Sequence, residues 1–164
     1  MNLIGKSRRF LRLPREERRL FLEAWLTLGV MRAALLTRPF KELTRSLGQS
    51  ATPQGFPGFE GPGDPRALRI GTAVRRAAAH TPWESACLVQ ALTVWKMLER
   101  RGIPGLFYLG VRRGEAGETM AAHAWSQSGE AILTGAAGRE RFVVVSVFGW
   151  GENEREEVSH AENR

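Results

Sequence analysis

The chain carries one cysteine in 164 residues, Cys87. That excludes an internal disulfide and a thiolate metal site, and it fits a reducing, cytoplasmic compartment. A secretory signal is also missing. The start, MNLIGKSRRFLRLP, has arginines but no sustained apolar core before Pro14 and no small-residue cleavage site. The longest apolar run, Leu20 to Leu36, is broken by Glu23 and Arg32. It falls short of a transmembrane segment and reads as a buried or interface helix. No basic motif interleaved with aromatics stands out, which argues against a nucleic-acid partner. No internal repeat is visible, and no metal, nucleotide or redox cofactor is implied.

What is present is unevenly distributed. The net charge is +7, and residues 1–48 hold 11 Lys/Arg against 4 Glu, so the whole excess arises there. An acidic partner surface is the expected complement. Residues 1–48 form a basic helical region. A helix is predicted from Pro14 to about Leu36, with Phe21, Trp25, Leu28, Met31 and Leu35 as its apolar stripe. Leu20, Leu26, Val30 and Leu36 widen that stripe, which predicts cover on more than one side. A short helix, Phe40 to Leu47, follows Pro39. Gly48 to Gly63 holds five glycines and three prolines and reads as a linker joining this region to the rest, so that residues 49–63 separate two units. Asp64 is placed to cap a helix that has Pro65 at its first position and runs to about Ala79, with Leu68, Ala73, Val74 and Ala77 as its apolar side.

The stretch Thr81 to Gly102 reads as the next helix and carries Cys87. Thr81, Pro82 and Glu84 have the spacing of a capping box with a favoured proline; Ser85 is the alternative cap, and it would put Cys87 on the first turn. Gly102 suits a left-handed exit, and Pro104 prevents a restart. Cys87, Ala91, Val94 and Leu98 share one face. A thiol near a helix start lies where free N–H groups and the dipole favour negative charge.

Beyond Gly102 the period changes to that of strands. Gly105–Arg112, Thr119–Gln127, Glu130–Leu133 and Phe142–Phe148 are the predicted strands. The short turns between them imply an antiparallel sheet, with the apolar FVVVSVF run as a central strand. Arg113 to Gly117 is a turn, and residues 149–164, with five Glu, form an acidic tail without a core. On the Thr119–Gln127 strand, Ala121, His123 and Trp125 share a face. A cysteine at a helix start and a histidine on a following strand can together make a nucleophile and its base. By residue type alone, a single cysteine is more often a small core hydrophobe than a nucleophile, and a strand histidine is more often structural. His80 is a rival base beside the helix, and His160 lies in the tail.

The run TPWESACLVQALTVWKMLERRGIPGLFYLGV followed by AAHAW closely resembles the transglutaminase-like leader peptidases of lasso-peptide biosynthesis. The likeness spans about residues 64–148, and the basic helical start is similar to that of the free-standing form of the family. It implies an α+β, transglutaminase- or papain-like core in which the helix carrying the cysteine packs on an antiparallel sheet, with an N-terminal helical extension. It further implies a cysteine peptidase that removes the leader from a ribosomally made precursor peptide. The implied partners are a small winged-helix leader-recognition protein and a separate ATP-dependent lasso cyclase. The family's nucleophile falls on Cys87 and its histidine on His123. Its acid, about twelve residues beyond the histidine, falls on Gly135. Either a dyad suffices, or Glu130, the nearest carboxylate, or Gln127 orients the ring. The alternative is a transglutaminase-like scaffold that binds peptide without cutting it.

Overall fold

The computed structural model describes residues 13–50, 61–114 and 120–151. The basic start before Leu13, Phe56 and Phe59 of the linker, Thr119, and the acidic tail with His160 lie outside them.

Helix α1 spans Arg15–Thr37 directly after Pro14, with Glu16 and Glu17 in its first turn. Pro39 enforces extended backbone at Arg38 and ends it. Ala24, Thr27, Leu28 and Met31 are buried, and Phe21, Trp25 and Leu35 are half-buried against the core. Of the residues that widen the stripe, Leu20 packs against the core, but Leu26, Val30 and Leu36 are not covered as predicted, at 62%, 59% and 70% exposed, and Leu22 is 51% exposed. The reason is that α1 lies against the rest of the fold along one side only. By length and composition α1 is also apolar enough to cross a membrane, with a mean hydropathy of 1.5, although Glu23 and Arg32 argued against that. Here its inner side is a wall of the core.

A single turn, α2 (Phe40–Leu43), is shorter than the predicted helix. At its end Thr44 turns its hydroxyl back to the Phe40 carbonyl. Phe40 itself meets Phe107 and Phe148 edge-on. Strand β1 (Gly48–Ser50) corrects the next expectation, because the first residues of the supposed linker pair with Gly149, Phe148 and Val147. Glycine content predicts weak intrinsic structure, but a neighbouring strand edge supplies the hydrogen bonds.

Helix α3 (Pro65–Ala78) starts as its sequence directs, with the Asp64 carboxylate accepting from the Arg66 N–H at 2.7 Å. Ala67, Ile70, Ala73, Val74 and Ala77 face inward. Leu68 points outward instead, at 49% exposed, because Ala67 and Ile70 define the buried side. Helix α4 (Cys87–Glu99) begins five residues later than the Thr81 cap predicts. Gly102 has φ 60°, and the Ile103 N–H reaches back to Leu98 at 3.1 Å, closing the left-handed exit read from the sequence.

Strands β2 (Gly105–Arg112), β3 (Ala121–Ser128), β4 (Ala131–Thr134) and β5 (Val143–Trp150) complete one antiparallel sheet of order β1-β5-β2-β3-β4. Phe107, Ala124 and Phe148 belong to the core that the helices share. Leu106, Tyr108, Trp125 and Val147 cluster on the other face with Ile132, Phe142 and Val144. Strand β5 is internal as predicted, yet Val143 and Val145 are 72% and 50% exposed while Ser146–Trp150 is buried. Strand β1 flanks β5 only at 147–149, so the earlier half lacks that neighbour. Ala24, Leu28 and Met31 of α1 share one core cluster with α3, α4 and the sheet. A partly buried ion pair ties Glu23 to Arg101, at the exit of α4, with contacts of 2.9 and 2.5 Å.

Candidate active site

Cys87 is the first residue of α4, preceded by Ala86 in extended conformation. The capping box is not used. The Thr81 hydroxyl instead bonds the Ala78 and Trp83 carbonyls and the Ser85 hydroxyl. Trp83 then holds the segment against α1: its ring lies 4.8 Å from that of Trp25, and a Cβ on Gly29 would stand 3.2 Å from it. Glu84 pairs with Arg32 of α1 at 3.3 Å. Residues 81–86 therefore form a strap across α1, and the helix starts only after it. The first backbone bond of α4 joins the Gln90 N–H to Ala86. No side chain caps this end, so the N–H groups of Cys87, Leu88 and Val89 have no intrahelical acceptor. Such a terminus can hold an anion. Cys87 is half-buried and packs against the helix-side core.

His123 is the third residue of β3 and pairs with Gly110 of β2. As predicted, it shares a face with Trp125. Its ring lies 5.9 Å from Trp125 and 5.1 Å from Phe142. Its Nε2 is 2.9 Å from the Gly135 carbonyl oxygen. A carbonyl only accepts, so Nε2 donates, and in the neutral ring Nδ1 is left as the basic nitrogen.

Helix α4 packs on β2, β3 and β4, and His123 stands opposite Gly110 of β2. The imidazole leaves β3 on the Tyr108–Trp125 face, whereas the thiol belongs to the helix face. No hydrogen bond joins them. The neighbours of His123 on β3, Ala121, Ala122 and Ala124, are small.

The other candidates lie elsewhere. Glu130 is exposed in the turn between β3 and β4, with its N–H bonded to Gly61. It is seven residues beyond His123, at the far end of the strand, and does not orient the ring. Gln127 is engaged with the Gly129 carbonyl. His80 is exposed and contacts the Arg76 carbonyl at 2.7 Å, at the end of α3. The group that sequence reasoning missed is the Gly135 carbonyl, since a backbone atom has no signature in residue type. The signal was positional, because Gly135 occupies the place of an expected acid. Among the described residues, no three His, Cys, Asp or Glu side chains converge as a metal site.

Helices packed on a single antiparallel sheet, with Cys87 opening one helix and His123 on a strand, make an α+β fold. A family model, the transglutaminase-like superfamily, matches residues 34–147, and the chain belongs to that superfamily, which includes cysteine peptidases. The match begins within α1 and ends in β5, so it takes in part of the basic helical region. No curated protein and no solved structure matches significantly.

Proposed function

We propose that the protein is a cytoplasmic cysteine peptidase that removes the leader from a ribosomally synthesised lasso-peptide precursor, with Cys87 and His123 as its working pair. The observation that carries this reading is the position of Cys87 as the first residue of α4, a helix end that no side chain caps; the His123 ring on β3, with its Nε2 already bonded, is the base it would use. Superfamily membership supports a thiol-based acyl chemistry. The motifs PW-x-x-x-CL-x-x-AL, RRGIP, YLGV and AHAW support the finer assignment.

His123 Nδ1 takes the Cys87 proton as the sulfur adds to the carbonyl carbon at the leader–core junction. The N–H groups at the start of α4 hold the oxygen that becomes negative. The imidazolium then gives its proton to the departing core amine, leaving the leader as a thioester on sulfur. Water, deprotonated by the same nitrogen, releases the leader acid and restores the thiol. The freed core amine is the substrate that a separate ATP-dependent cyclase requires. A small winged-helix protein delivers the leader, and the uncovered residues Leu22, Leu26 and Val30 on basic α1 are assigned as its docking surface or that of the cyclase.

The test is incubation of precursor, leader-binding protein and this protein, followed by mass analysis. The expected products are the leader acid and the free core, both lost in Cys87→Ala and His123→Ala. A second reading is favoured by one specific observation, the absence of a carboxylate on the imidazole: a scaffold that binds peptide without cutting it. Intact precursor with the unsubstituted protein would favour the scaffold.

A further inference from the structure

We infer that the backbone carbonyl of Gly135 is the group that orients His123, in place of a side-chain carboxylate. This rests on the reading of Cys87 and His123 as a working pair. Three observations converge on it. The Gly135 oxygen lies 2.9 Å from His123 Nε2. Gly135 has φ 72°, a left-handed conformation that favours glycine. A Cβ there would overlap the Ala124 carbonyl oxygen and come within 2.8 Å of the Trp125 Cβ. The position therefore excludes the side chain that an acid would need, while its left-handed turn accompanies a carbonyl presented to the ring.

The local chain explains how this is held. Thr134 pairs with Ser126, and their hydroxyls bond at 2.6 Å with both residues buried. The chain leaves β4 at Gly135 against the backbone of Ala124 and Trp125. Upstream, Arg75 of α3 bonds the Leu133 carbonyl, so that end of β4 is held from a helix as well. Phe142 and Trp125 flank the ring. A neutral carbonyl fixes the tautomer as a carboxylate would, with Nε2 protonated and Nδ1 basic. It supplies no full negative charge to the imidazolium, so Gly135 is a positioning residue.

The test reads the ring directly. Nitrogen-15 NMR of the histidine-labelled full chain, with the His123 signals assigned by their loss in His123→Gln, reports which nitrogen carries the proton. The expected result is the Nε2–H tautomer in the unsubstituted protein, at a pH where the ring is neutral. Gly135→Ala is expected to lose that preference, and precursor cleavage should fall about 100-fold in kcat with little change in KM, the scale of a displaced general base. Gly135→Asp is expected to be no better than Gly135→Ala. An Nδ1–H tautomer in the unsubstituted protein, which requires no variant to fold, overturns the inference. So does a folded Gly135→Ala with an unchanged tautomer, or a Gly135→Asp that cuts as fast as the unsubstituted chain. Loss of the peptidase reading is distinguishable: the unsubstituted protein would then show the Nε2–H tautomer and leave the precursor intact.

Discussion

Single residues carry the chemistry. His123→Ala should slow alkylation of Cys87 by iodoacetamide at neutral pH by about tenfold or more, on the scale of activation by an adjacent base. The rate is followed by mass, and because Cys87 is the chain's one cysteine the label reports it alone. An equal rate in both proteins would remove the imidazole from the site. Tyr108, the one tyrosine, gives a second residue-level prediction. Burial against Trp125, whose ring stacks on it at 5.2 Å, pushes the phenol above its usual value of 10.0, and Arg139 opposes this weakly. A raised folded value means that this contribution to stability is fully present below the unfolded value, near pH 10.0, and is lost as pH rises through the folded one. Ultraviolet titration should show the phenolate appearing late, and Tyr108→Phe should flatten the alkaline loss of stability. Cys87 and His123 stand out in the sequence because thiol and imidazole are rare and chemically distinct. The contact of the Gly135 carbonyl with the His123 ring does not, because any residue carries a carbonyl.

At the scale of elements, legibility followed local chemistry. Asp64-Pro65 reads as a helix start and is one, because cap and proline act within a few residues. Asp64→Ala should destabilise the fold by about 1 kcal/mol and Asp64→Asn by much less, read by denaturant unfolding. The same reasoning failed at Thr81-Pro82, where the spacing was equally good. There the Trp83 contact with Gly29 and Trp25 comes from a helix some fifty residues earlier, and tertiary packing overrides the cap. The strap makes a prediction: Gly29→Val should displace Trp83 and lower cleavage severalfold, while circular dichroism shows the helices intact. Unchanged cleavage in that variant would mean that the strap does not position Cys87. Strand β1 was hidden for a related reason, since three residues of Gly-Gln-Ser have no strand pattern of their own and form one only against β5.

For the whole molecule, the division into a basic helical region and a chemical core is a division of charge rather than of packing. Ala24, Leu28 and Met31 lie in the same core as Trp95 and Phe107. Removing residues 1–48 would thus strip a core wall as well as any docking surface. A cleaner probe substitutes the outer residues alone. Leu22→Ser, Leu26→Ser and Val30→Ser together should leave the unfolding midpoint nearly unchanged, as exposed positions do. They should weaken capture of the leader-binding protein or cyclase at least tenfold, read by pull-down or calorimetry. Unchanged affinity would move the docking surface elsewhere.

The strand order has a consequence for how the protein comes into being. Among the described residues, strand β5 is the last element, yet it lies between β1 and β2. During synthesis its slot stays open until the ribosome has released Trp150, and β1 has no partner before then. Closure must wait for contacts between distant parts of the chain, which is intrinsically slow. A half-made copy therefore holds its sulfur on an unfinished platform, with an open edge on β2 where β5 would pair.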